Sequence, residues 1–208
     1  MKKLLIPLFS LFFLYSPSVF ADDISDFQIE GISIGDSLLD YMTKDEILEG
    51  IERTKNLYLY LNEPNKYSAV YLTGEFLNYD YLGVFVKNNS GNAYVTNKNT
   101  KYTIVGIVGD RTYIEDFDKC LKKRDEIAEI FSNMLPNAEK SEAGTIKHNA
   151  DSSGNSIIDQ ITFWVKSGNL SVYCDNFEET FRIKNNYPEG LSIVLRSVEL
   201  NDWLNDSK

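Results

Sequence analysis

The chain has 208 residues, with 31 acidic against 21 basic side chains and a formal charge of −10. That excess repels phosphate backbones and anionic headgroups, which sets aside nucleic acid and membrane surfaces as partners. The length suits one domain, or two closely packed halves, with a substantial core.

Lys2 and Lys3 precede an uncharged apolar run over residues 4–15, then Pro17, Val19-Phe20-Ala21 and an acidic Asp22-Asp23. A basic start, an apolar stretch, a helix breaker and small residues before the cut form the pattern of a secretory signal peptide over residues 1–21. A retained anchor is the alternative, but the run is short of the ~20 residues a spanning helix needs. No cysteine follows the cut, which argues against a lipid anchor. The expected product is residues 22–208, periplasmic or secreted, without a membrane span, at −12 once Lys2 and Lys3 leave.

Residues 27–34 alternate loosely and predict a short entry strand, after which Gly35 and Asp36 offer a helix start. Thr43 with Glu46 forms a capping box for a helix whose apolar face is Ile47, Leu48 and Ile51, weakened by Gly50. From Tyr67 the period turns strand-like, predicting strands over 67–73 and 82–87, a loop over 88–92, a short strand at 94–96 and a long one over 102–109. Residues 116–135 give the clearest helix, apolar at spacings of three and four from Phe117 to Leu135 and ended by Pro136. Strands follow over 145–149, 157–166 and 170–175, joined by turn-rich connections at 151–156 and 167–169. A strand over 191–198 and a short helix over 199–205 carrying Trp203 complete the chain.

The expected fold is α+β: an antiparallel sheet with the 116–135 helix packed on one face, as a single domain over 22–208 with possible halves 22–113 and 114–208. An offset of 80 residues aligns Ile34 with Ile114, Asp36 with Asp116 and Asp45-Glu46-Ile47 with Asp125-Glu126-Ile127. The plan resembles, in architecture alone, the tandem helix-plus-sheet halves of β-lactamase-inhibitor-like exported proteins.

Cys120 and Cys174 are the two cysteines. In an exported chain an even count predicts a disulfide, and each falls on the apolar face of its element, so the geometry is reasonable. A Cys-x-x-Cys redox pair is excluded by spacing, and two buried thiols are the alternative. The many tyrosines and phenylalanines fit strand and core packing, with a tyrosine-rich sugar-binding face as the functional reading.

Gly35-Asp36-Ser37-Leu38 resembles the signature of the GDSL esterases, in which the serine is the nucleophile. The resemblance makes Ser37 and His148 a candidate catalytic pair, but the family's Asp-x-x-His is absent, Thr145 standing three residues before His148, and so is its Gly-x-Asn-Asp element. A turn at Gly35 with Asp36 or Ser37 capping a helix explains the same four residues. Residues 151–156 offer oxygen ligands without the terminal acid of a calcium loop, so a hairpin turn is expected there. His148 reads as a strand-end side chain bonded to its neighbours. No cofactor or metal site is expected.

Asp118-Lys119-Cys120, Lys122-Lys123, Asp125-Glu126-Ile127, Lys147-His148, Ala150-Asp151 and Val172-Tyr173-Cys174, with residues 32–41, are similar to a group of uncharacterised exported proteins from bacteria with small AT-rich genomes. That resemblance implies an exported home and a paired-cysteine fold, and transfers no active site. The function expected is a non-enzymatic periplasmic or secreted binding or interaction module, its partner an envelope protein or glycan. A Ser37 hydrolase and a structural envelope protein are the alternatives.

Overall fold

The computed structural model describes residues 23–63, 65–88 and 101–206; residues 1–22, which hold the expected leader, and 89–100, with the strand expected at 94–96, lie outside them, as do 64, 207 and 208. The fold is α+β, built on a seven-stranded antiparallel sheet. Its strands are β3 (Tyr67–Tyr71), β4 (Tyr81–Lys87), β5 (Ile104–Thr112), β6 (Glu139–Lys147), β7 (Ile157–Val165), β8 (Gly168–Asn176) and β9 (Gly190–Ser197), in the order β3-β4-β5-β9-β8-β7-β6. A two-stranded ribbon, β1 (Gln28–Ile29) with β2 (Ile32–Ser33), stands where one entry strand is expected; Glu30 and Gly31, both at positive φ, turn the chain between them.

Among the described residues the α-helices are α1 (Lys44–Thr54), α2 (Phe117–Met134), α3 (Glu179–Asn185) and α4 (Val198–Asn205). The predicted capping box is present: the Thr43 hydroxyl accepts from the Glu46 amide while the Glu46 carboxylate accepts from the Thr43 amide. Asp116 caps α2 through the Lys119 amide. Gly50, a weak helix former, has a reason to be in α1, since a Cβ there would stand 2.7 Å from a Val70 methyl carbon. The glycine lets α1 lie close on β3.

Alternation along the strands divides the sheet into two unlike faces. On the inner face Leu170, Val172 and Cys174 of β8, Leu191, Ile193 and Leu195 of β9, and Ile161 and Phe163 of β7 join one core with α1, α2 and the N-terminal segment. Phe27, Phe131 and Phe163 stack edge to face in sequence, each pair 6.1 Å apart between centroids. Cys120 of α2 is bonded to Cys174 of β8, with 6.0 Å between their Cα atoms and no exposure of either residue. On the outer face α4 covers one end, where Leu200 and Trp203 pack with Phe85, Tyr67, Leu61 and Val105. Gly106 makes room for that contact, since a Cβ would fall 2.4 Å from a Leu200 methyl carbon.

The two sequence halves meet in this one sheet. β3-β4-β5 and β6-β7-β8 each run inward from an edge, each following a helix, with β9 between them. Three elements extend beyond the sequence expectation. β5 continues to Thr112, and β6 begins at Glu139 rather than 145. Every residue of β6 is exposed, so this edge strand shows no apolar alternation to read, and its charges protect the edge from further pairing. α3 is seven residues with none buried, too short and too exposed for an apolar period to register.

Replacing both cysteines by alanine is expected to cost about 4 kcal/mol in the chain-entropy model, because the bridge closes a loop spanning 54 residues. Thermal unfolding of the double variant checks this; an unchanged Tm contradicts it.

Candidate functional site

The Gly35-Asp36-Ser37-Leu38 segment is used for folding. The Asp36 carboxylate accepts from the Ser33 amide at 2.9 Å and from the Tyr41 hydroxyl at 2.6 Å. Ser37 stands at the cap position of a 3-10 turn, Leu38–Asp40, but its side chain makes no cap bond. Its hydroxyl, 3 % exposed, donates instead to the Lys101 carbonyl at 2.8 Å, and its backbone bridges to Thr103. His148 lies beyond β6, with its Nε2 3.6 Å from Asp175 Oδ1, and Asp175 is in register with Gly190 and through it with Thr112. Thr103 and Thr112 mark opposite ends of β5, roughly 30 Å apart at ~3.3 Å per residue. The structure does not bring Ser37 and His148 together.

The 151–156 segment is the expected turn, closed by one side chain. The Asp151 carboxylate accepts from the amides and hydroxyls of both Ser153 and Ser156. Those bonds hold its pKa far below the usual carboxylate range. The connection also fixes the histidine: Nδ1 accepts from the Ala150 amide at 3.1 Å, so the neutral ring carries its proton on Nε2, toward Asp175.

On the inner face a cleft of about 550 Å³ opens between α2 and the β6–β7 edge. Its buried charges are paired: Arg124 with Asp159 and with Asp125, and Thr145 donates to Asp159 at 2.6 Å. The outer face differs. Strand register lays its side chains in rows. Trp164, Asn169, Arg196 and Gly106 form the row bordered by α4; Thr162, Ser171, Val194, Val108, Gly83 and Tyr71 the next; Gln160, Tyr173, Ser192, Asp110 and Tyr81 the third. The α4 border is fixed where Asn201 donates to Asn169 at 2.6 Å.

On β7 and β8 the middle row is a buried hydroxyl layer that continues across β9 and β5 as Val194 and Val108. Thr162 and Ser171 share a bond of 2.9 Å, Gln160 donates to Thr162 at 2.7 Å and Asn169 to Ser171 at 3.2 Å. Large rings stand at its margins, with Tyr81 55 %, Tyr71 52 % and Trp164 45 % exposed. Rings left half in water bury only part of their apolar area in the fold, and the remainder is rigid apolar surface.

At the end away from α4 the face becomes acidic and buried. Ser192 donates to Asp110 at 2.5 Å, while Asp175 Oδ1 is buried without a hydrogen-bond partner. Burial, then the neighbouring Asp110 and Glu189, push the Asp175 pKa up to about 7, and burial also raises Asp110. Burial lowers the His148 pKa, with Asp151 opposing. Glu189 is committed to structure, accepting from the Glu115 and Phe177 amides beside Arg182. The sequence reading finds no titratable partner for His148; Asp175 is that partner, 27 positions away and visible only once β6, β7 and β8 pair.

No protein-family model, curated protein sequence or solved structure matches the chain.

The pH dependence follows from Asp175. Its folded pKa lies above the unfolded value, so its contribution is fully present below the unfolded pKa near 3.8 and is lost as pH rises through about 7. Asp175→Asn is therefore expected to raise Tm by several degrees at about pH 8 and by little at about pH 4. An equal shift at both pH values, in paired melting curves, contradicts the assignment.

Proposed function

We propose that the protein is an exported, non-enzymatic binding module whose partner docks on the outer face of the sheet. The observation that carries this reading is the trio of half-exposed rings, Tyr71, Tyr81 and Trp164, standing at the margins of a buried, internally bonded polar layer. Tyrosine, tryptophan and arginine dominate the energetics of protein interfaces, and Arg196 lies in the same row as Trp164. The cleft between α2 and the β6–β7 edge lies on the other face, and rings spread over three strands suit a macromolecular partner better than a small molecule, which seeks a concave site.

Export is supported by the leader-like residues 1–21 and by the Cys120–Cys174 bond, which belongs in an oxidising compartment. Among the described residues no helix is long and apolar enough to cross a membrane.

Surface plasmon resonance over immobilised envelope extract tests the reading. The Tyr81→Ala/Trp164→Ala double variant is expected to lose about tenfold or more in binding while staying folded, with a modest fall in Tm because both rings are half buried. Ile183→Ala, exposed on α3, is expected to bind as the parent does. Equal binding by the double variant refutes the outer face as the docking surface.

A further inference from the structure

Arg196 is the cation on the outer face that, among the described residues, the fold does not explain. Its strand places it between Asn169 of β8 and Gly106 of β5. Its Nε is buried without a hydrogen-bond partner, and among the described residues no carboxylate is paired with its guanidinium. The other arginines are all engaged: Arg53 with Glu49, Arg124 with Asp125 and Asp159, Arg182 with Glu189, and Arg111 with the Asn78 carbonyl. A donor withdrawn from water with nothing to bond is a cost to the folded state. In a chain with 31 acidic residues, a partner carboxylate is not scarce. The residue is partly exposed, and its charge acts on both the Tyr58 and Tyr173 phenols.

Four positions back along β9, roughly 13 Å at ~3.3 Å per residue, Ser192 carries Asp110, with Asp175 beyond. The face thus carries Arg196 in the row bordered by α4 and acids at the opposite end. We propose that the outer face docks a protein segment that presents an aspartate or glutamate carboxylate to Arg196 and a basic or hydrogen-donating side chain toward Asp110. This rests on the reading of the outer face as the binding surface. A carboxylate is the planar anion that a guanidinium fork bonds with two parallel hydrogen bonds. A polyanionic glycan fits poorly, since its repeating charge would run onto Asp110 and Asp175. The partner is a protein surface of mixed charge.

A phage-displayed library of random dodecapeptides, panned over residues 22–208, tests this. Selected peptides are expected to share an acidic residue, to be competed off by the parent protein, and to bind Arg196→Gln about tenfold or more weakly. Arg196→Gln removes an unpaired guanidinium, so its Tm is expected to be unchanged or higher; Arg196→Lys, which keeps the charge without the fork, is expected to recover part of the binding. Peptides without an acidic residue that bind Arg196→Gln as tightly as the parent, yet are lost in Tyr81→Ala/Trp164→Ala, overturn the Arg196 assignment and leave the outer-face reading standing. Peptides indifferent to all these variants overturn both. A concentration-dependent dimer that Arg196→Gln dissolves, or polygalacturonate binding lost with Arg196, makes the occupant a second copy or a glycan and overturns the proposal.

Discussion

The period-2 alternation of β8 and β9 is the constraint from which the rest of the molecule follows. On β8, Leu170, Val172 and Cys174 point inward while Asn169, Ser171, Tyr173 and Asp175 point outward; on β9, Leu191, Ile193 and Leu195 oppose Ser192, Val194 and Arg196. A slip of one residue would carry every one of these side chains to the wrong side. Register here is guarded by the burial of six apolar side chains and by the Cys120–Cys174 bond, which pins α2 to the inward side of β8. The same alternation that makes a core on one side leaves polar and aromatic groups on the other.

The two faces handle their polar groups differently. Inside, Arg124 and Asp159 neutralise one another and share further bonds with Asp125 and Thr145. Outside, the hydroxyls of Thr162 and Ser171 are satisfied by Gln160 and Asn169, but the flanking groups are left wanting: Asp175 has a buried oxygen and Arg196 a buried nitrogen with no bond. Unmade bonds of this kind cost stability, and folded chains keep few of them. Their placement at the two ends of one face, between half-exposed rings, is what the proposed docking surface accounts for.

Much of the architecture is legible in residues alone. The capping box at Thr43, the α2 period and the inward cysteines rest on local rules, where a side chain and its neighbours three or four positions away settle the outcome. β6 and α3 are not legible in that way. Residues 139–144 alternate in nothing, because an edge strand with both sides in water has no apolar face, and α3 buries no residue. The candidate site is harder still. Asp110, Asp175, Arg196 and Trp164 come from four strands, and no spacing in the chain marks them. Gly35-Asp36-Ser37-Leu38, which does carry a legible motif, spends its aspartate and serine on the Ser33 amide and the Lys101 carbonyl. A motif signals chemistry only where the fold delivers its partners.

Hydroxyl-radical footprinting of residues 22–208, alone and in envelope extract, tests the central claim most directly, because it reads side-chain exposure over the whole surface at once. The account predicts protection at Tyr71, Tyr81 and Trp164, with labelling unchanged at Ile183 and Leu48, which are exposed elsewhere. Unchanged labelling of those three rings, with protection of the cleft between α2 and β6, would contradict it.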